Sequence, residues 1–312
     1  MPALAALLAA LLSSAPVPAP QVTGNPALAP GLSRRMLEQI SLHGSRHWRT
    51  GLAVVSCRKD SLLFGYNATT ALSPASNQKL LVTACALANW NDTTARRLDS
   101  LLDLSPTRKH RIASSPVRAD SYGLNAHPEF PGYRHLVLAN RESDNMEAQW
   151  MLDILSRDQG CAPQTLVGAF LDSCGVPHGG LRVADGCGLA RSNRVSPLTL
   201  ARLLHRIHSS PCSDIFWSTL ARPCQPGTLV HRNLNVGDRL AGKTGFIRNV
   251  FALSGYLSAE DDTFAFSFIL NGCGSGSRAY SLFNGLLDAL YGWDSDLQAG
   301  RLAPSDTGSG QN

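Results

Sequence analysis

Ser76 and Lys79 stand three residues apart in Ser76-Asn77-Gln78-Lys79, at the head of an apolar run from Leu80 to Ala88. On one helical turn these two side chains lie next to each other. A lysine that is desolvated beside other positive charge can take the serine proton, so no histidine is required. Ser143-Asp144-Asn145 adds a hydroxyl able to relay that proton and an amide able to orient the lysine and a carbonyl. Lys243-Thr244-Gly245 adds a cation and a hydroxyl that can grip a carboxylate, with Gly245 leaving room for close backbone approach. The N–H of Phe246 can then join that of Ser76 in holding an oxyanion. The chemistry is acyl transfer through a serine nucleophile.

Each string alone has a plainer reading. Ser76 and Ser143 both suit helix caps, and Lys243 suits a solvated edge strand. The chain has four lysines, Lys59, Lys79, Lys109 and Lys243, and two of them fall in these strings, which argues against a general surface role. A rival pair, Ser56 and Lys59, sits where a strand (51–57) turns into a hairpin, and a strand does not stack residue i over i+3.

The elements that must position these residues follow from periodicity. Helices are expected near Ser33–Leu42, Met146–Ser156, Pro197–His208 and Arg278–Tyr291, and helical segments occupy much of 76–220. Strands are expected at 51–57, 61–66, 238–244, 249–257 and 263–270. The terminal strands most economically join in one antiparallel sheet, with terminal helices packed on it and a helical lobe between. The three strings would meet in the cleft between lobes.

Beyond the three strings, Pro74-Ala75-Ser76-Asn77-Gln78-Lys79-Leu80-Leu81, Asp185-Gly186-Cys187-Gly188-Leu189-Ala190-Arg191, Gly227-Thr228-Leu229 and Ala252-Leu253-Ser254-Gly255-Tyr256 complete a pattern. In it the chain resembles the class C, low-molecular-mass penicillin-binding proteins, the D-alanyl-D-alanine carboxypeptidases of the S13 peptidase family, over residues 32–293. The resemblance implies an α/β fold of the penicillin-binding protein and serine β-lactamase type, an antiparallel sheet flanked by helices plus a helical lobe. It implies Ser76 as nucleophile, Lys79 as base, Ser143 and Asn145 as the second-motif pair, and Lys243 with Thr244 as carboxylate grip. Arg191 is placed near a substrate carboxylate by the same carry-over. Peptidoglycan stem peptides become the expected substrate, and β-lactam antibiotics the expected inhibitors. Endopeptidase activity on cross-links, a β-lactamase or esterase, and a penicillin-binding sensor without turnover remain open as alternatives.

The chain departs from the family in three places. The large domains that the family carries between its first two motifs are absent or vestigial, since only residues 80–142 intervene. Phe246 replaces a threonine after Lys-Thr-Gly, and Cys187 stands where serine is usual.

Composition agrees with a folded enzyme: 312 residues, 44% hydrophobic and 16% charged, with a formal charge of +5. That charge is too mild and unpatterned for nucleic-acid binding. Residues 1–19, apolar and then rich in small residues and proline, read as an export leader, which predicts a periplasmic or extracellular protein with no transmembrane span after cleavage. Residues 20–31 read as a linker and 294–312 as a disordered tail. Eight cysteines are compatible with disulfides, and Cys161 with Cys174 or Cys212 with Cys224 would close short loops. His205 and His208 lack acidic or cysteine partners in the sequence, so neither metal nor other cofactor is expected.

Overall fold

A computed structural model of the chain describes residues 21–25, 27–103, 126, 127, 130, 132–232 and 234–301. The expected leader, Lys109 and the end of the expected tail lie outside these residues.

The chain enters through a two-residue strand, β1 (Val22–Thr23), and a helix, α1 (Leu32–His43), followed by the hairpin β2 (Arg49–Ser56) and β3 (Ser61–Tyr66). A 3-10 turn at Ala75–Asn77 then leads into α2 (Gln78–Asn89) and α3 (Asp92–Asp103). The helical lobe continues with α4 (Tyr133–Asn140), α5 (Asn145–Asp158), α6 (Pro163–Ser173), α7 (Pro197–His208) and α8 (Ser213–Thr219). Three strands close the sheet, β4 (Leu240–Ile247), β5 (Val250–Ser258) and β6 (Thr263–Asn271), before α9 (Gly276–Gln298).

The described strands form one six-stranded sheet in the order β1-β3-β2-β6-β5-β4, every neighbouring pair antiparallel. Its central strands are buried on both faces, which is why Thr263–Asn271 reads as an almost unbroken apolar run. Alternation still sorts the two faces. Ala53, Val55, Ala252, Ala265 and Ile269 turn toward the helical lobe. Leu52, Val54, Leu253, Phe266 and Phe268 turn toward α1 and α9, where they meet Met36, Phe283 and Leu286. Small residues on the first face let α7 approach closely, and large ones on the second fill the space under the terminal helices.

Two expected boundaries move. Val22 and Thr23 pair with Tyr66 and Gly65, so part of the expected linker is an edge strand; two residues are too few to show periodicity. The last helix continues through Asp294 to Gln298, where a tail was expected. Trp293 and Asp294 are buried, at 1% and 3% exposure, and Trp293 Nε1 donates to Pro30 O at 2.9 Å. Asp296 pairs with Arg35 at 2.6 Å. The polar composition that resembled a tail is a helix face bonded to α1.

All eight cysteines are free thiols. The link suggested for Cys161 and Cys174 fails on geometry, because α6 stands between them and its eleven residues rise about 16 Å. A disulfide needs Cα atoms within about 7 Å.

Candidate active site

The turn that carries Ser76 is held from three sides. Behind it, Ser73 N donates to Asn271 Oδ1 and Asn271 Nδ2 donates back to Ser73 O, both at 2.9 Å, tying the segment to the end of β6. From the strand side, Asn77 Nδ2 donates to Lys243 O at 2.9 Å. From the third side comes Gly188, at a φ of +89°, where a Cβ would lie 1.9 Å from Ala75 O. Ala75 itself takes a left-handed φ of +48°, a conformation that a non-glycine residue adopts at a cost and only where its surroundings fix it. The result is a strained, clamped turn that presents Ser76 at the start of α2.

Lys79, one turn into that helix, is fully buried. Its Nζ contacts Cys187 O at 2.6 Å, Asn145 Oδ1 at 2.8 Å and Ser76 Oγ at 3.0 Å. The first two are carbonyl oxygens and can only accept, so each takes an N–H. The remaining tetrahedral position points at Ser76 Oγ, and in the neutral amine that position is the lone pair. Burial draws the Lys79 ammonium down to about 8, against the opposing pull of nearby acidic groups, Asp144 and Asp185 among them. Lys243 is also completely buried, and burial together with the Lys79 charge lowers it well below the ordinary lysine value. Its Nζ donates to Thr244 O at 2.9 Å.

Asn145 reaches Lys79 because α5 begins there. Asp144 caps that helix, its carboxylate accepting from Met146 N at 2.8 Å and Glu147 N at 3.1 Å. Ser143 sits before the cap at a φ of +59°, half-buried, and among the described hydrogen bonds none engages its hydroxyl. Helix α4 delivers this loop. His135 Nδ1 and Glu147 Oε2, both fully buried, pair at 2.9 Å between α4 and α5. Asn140 Nδ2 donates to Thr219 Oγ1 at 2.8 Å, and Asn140 Oδ1 accepts from Thr83 Oγ1 at 3.2 Å, joining α8 to α2.

Strand β4 is the sheet edge beside this cluster. Gly242 exchanges both backbone bonds with Ala221, on the side away from β5. By the period of two, Thr244 and Phe246 also turn their N–H and C=O groups outward. Gly245 lies against the nucleophile turn, where a Cβ would meet Asn77 Nδ2 and Pro74 O at 3.0 Å; its missing side chain lets strand and turn touch. The Phe246 ring lies on the opposite face of the sheet from Lys243, against Phe251 at a centroid distance of 4.9 Å.

The rim is built by the Asp185 loop. Asp185 accepts from Gly188 N at 2.7 Å, Ala190 N at 2.6 Å and Asn193 Nδ2 at 2.8 Å. Arg191 is exposed and donates to Arg248 O at 3.1 Å, bridging this loop to the β4–β5 turn. Cys187 is buried, and burial raises its thiol above the usual range; the atom that meets Lys79 is its carbonyl.

Ser76, Lys79 and Asn145 therefore meet directly, and Lys243, Thr244, Gly245 and Phe246 line the adjoining edge. Ser143 and Arg191 flank them. Sequence reasoning did not find the carbonyl of Cys187, Asn77 or Asn271. Backbone acceptors carry no side-chain signature, whereas Asn77 lay inside a quoted string and was open to notice. The rival serine is excluded, since Ser56 Oγ bonds Asp262 while Lys59 Nζ donates to Leu28 O at 3.2 Å.

A family model described as D-Ala-D-Ala carboxypeptidase 3 (S13) matches residues 109–284, a stretch holding the second and third strings but not Ser76 and Lys79. A D-alanyl-D-alanine carboxypeptidase of Actinomadura sp. (strain R39) is 34% identical over 149 residues, 44% of this chain and 28% of that protein. The alignment thus spans less than a third of that relative. Among solved structures, penicillin binding protein 4 from Haemophilus influenzae, complexed with a β-lactam, superposes with a TM-score of 0.64 at 12% identity, covering 82% of this chain and 99% of the other. A class A β-lactamase from Bacteroides cellulosilyticus gives 0.57 at 15% identity, over 85% and 99%. These likenesses in structure establish the fold: an antiparallel sheet with helices, of the kind that penicillin-binding proteins and class A β-lactamases share.

Proposed function

Because the chain belongs to the D-Ala-D-Ala carboxypeptidase 3 (S13) family, we propose that it is a serine D-alanyl-D-alanine carboxypeptidase working through an acyl-enzyme on Ser76. The observation that carries this reading is the Lys79 amine, whose two fixed carbonyl acceptors aim its third position at Ser76 Oγ. A stem peptide ending in D-Ala-D-Ala adds to the outer edge of β4, with its carboxylate at Lys243 and Thr244. Neutral Lys79 takes the Ser76 proton as Oγ attacks the penultimate carbonyl, and the backbone N–H groups of Ser76 and Phe246 hold the oxyanion. The departing amine is protonated through Lys79 and Ser143, D-alanine leaves, and water hydrolyses the ester. Penicillins acylate the same serine as mimics of that peptide. Arg191, on the rim by the β4–β5 turn, meets the acyl-side carboxylate.

The substrate places the protein outside the cytoplasm, in the periplasm or beyond the cell, in keeping with the leader read at residues 1–19. Among the described residues no helix is long and apolar enough to cross a membrane. The carboxylates of Asp144 and Asp185 are bonded to backbone N–H groups, which disfavours either as a base for rapid release of a bound drug.

The test is incubation of the protein and its Ser76→Ala variant with a fluorescent penicillin, and then with a diacyl-D-Ala-D-Ala peptide. Stable label on Ser76 with D-alanine release is expected, and both vanish in the variant. Label without release indicates a sensor, rapid loss of label with drug hydrolysis a β-lactamase, and label independent of Ser76 overturns the mechanism.

A further inference from the structure

The two ends of the sheet carry opposite charge. At the β2–β3 and β5–β6 turns stand Asp60, Glu260, Asp261 and Asp262. The other end is basic, and backbone pairings gather five arginines there. Arg49 pairs with Asn271, and paired residues share a face, so its side chain stands on the face from which Asn271 holds Ser73. Leu72 pairs with Val195, which brings Arg194 beside Ser73. Arg194 exchanges backbone bonds with Arg182 at 2.8 Å and 3.0 Å, and its Nη1 donates to Arg191 O at 2.5 Å. Arg191 in turn donates to Arg248 O at 3.1 Å. The five run as a belt from the start of β2, past the turn that carries Ser76, to the β4–β5 turn. Four are exposed and Arg194 is half-buried, and among the described residues none of the five is in an ion pair. Asp185, the carboxylate of their loop, is taken up by Gly188 N, Ala190 N and Asn193 Nδ2.

Guanidinium groups left unpaired this close together repel one another, and a polyanion relieves that cost. Each guanidinium also matches a carboxylate in two parallel hydrogen bonds. We propose that the belt is a docking surface for the substrate polymer, binding free carboxylates of stem peptides that neighbour the one whose end lies on β4. The inference rests on the carboxypeptidase reading above, and it extends the contact given there to Arg191 from one carboxylate to several. A peptidoglycan strand bears many stem peptides. Held along the belt, such a strand presents new ends to the cleft at a raised effective concentration. A lipid surface fits less well. Cations on a lipid-binding surface alternate with exposed apolar side chains, whereas Phe246 turns to the opposite face of the sheet and Leu189 is the one exposed large apolar side chain between Arg182 and Arg194.

The experiment compares the full chain with a belt variant, Arg49→Gln with Arg248→Gln, and with a control that loses equal charge elsewhere. The control is Arg58→Gln, in the β2–β3 turn, with Arg157→Gln, in the last turn of α5. Co-sedimentation with purified peptidoglycan sacculi gives the affinity, each chain carrying Ser76→Ala so that the polymer is not digested. The active forms give kcat/KM for D-alanine release from sacculi and from a soluble diacyl-D-Ala-D-Ala peptide, and fluorescent penicillin labelling of Ser76 confirms that each is folded. The full chain is expected to bind sacculi about tenfold more tightly than the belt variant at about 0.01 M salt. The difference should close at about 1 M, where the screening length has fallen from about 30 Å to about 3 Å. Release from sacculi should drop by the same factor, with release from the soluble peptide unchanged and the control behaving as the full chain. Sacculus binding unmoved in the belt variant, or weakened equally in the control, overturns the belt while leaving carboxypeptidase activity intact. Binding to vesicles of phosphatidylglycerol and phosphatidylcholine without binding to sacculi assigns the belt to a lipid surface and overturns the proposal. Failure to release D-alanine from the soluble peptide overturns the carboxypeptidase reading, and with it the belt's role toward a substrate.

Discussion

Lys79 is the residue on which the proposed chemistry turns, and its ionisation yields a test. With the ammonium held near 8, the neutral fraction at pH 6 is about one in a hundred and grows roughly tenfold per pH unit up to that value. The rate of Ser76 acylation by benzylpenicillin should therefore climb through pH 6 to 8 and level off above, as stopped-flow or gel labelling would report. Lys79→Arg, which stays charged, should remove the rise together with most of the rate. The same shift acts on stability with a definite sign. The folded value lies below the ordinary 10.5, so between about 8 and 10.5 the unfolded chain binds more protons and the fold gains stability from this group as pH rises. Below 8 both states carry the proton and the burial cost is felt in full.

At the scale of elements, the turn that carries Ser76 depends on a loop distant in sequence. A Cβ on Gly188 would lie 1.9 Å from Ala75 O at a φ of +89°, so Gly188→Ala should cost on the order of 3 kcal/mol and largely abolish penicillin labelling. Gly237, at a φ of +55° with nothing within 4 Å, is the control: its alanine variant should cost about 1 kcal/mol and label normally. Denaturation midpoints and labelling distinguish the two. The sequence made the periodic elements legible: Pro197–His208 ends where its pattern does, and the three C-terminal strands fall close to their apolar runs. It also brought Ser76, Lys79 and Asn145 together, because their types and spacing are what proton transfer demands. It could not show the two-way bond between Asn271 and Ser73, or that Cys187 matters through its carbonyl, since neither depends on a pattern local in the chain. The same blindness hid β1, which exists only because β3 offers an edge.

Across the whole molecule, parts of the proposed site that lie far apart in sequence rest on one sheet. Arg49 of β2 pairs with Asn271 of β6, so the N-terminal hairpin has no place beside the site until the C-terminal strands arrive. A chain cut before Thr263 keeps Ser76, Lys79, Ser143, Asn145, Lys243 and Thr244 yet loses β6 and α9. It should show neither near-ultraviolet circular dichroism of a packed core nor covalent capture of a fluorescent penicillin. Long-range pairing of this kind makes folding slow relative to local structures of equal size. Order of synthesis adds a wait, since β2 is made well before its partner β6. Until β6 is in place the turn that carries Ser76 lacks its two bonds to Asn271, and the chain has no poised serine for an antibiotic to trap.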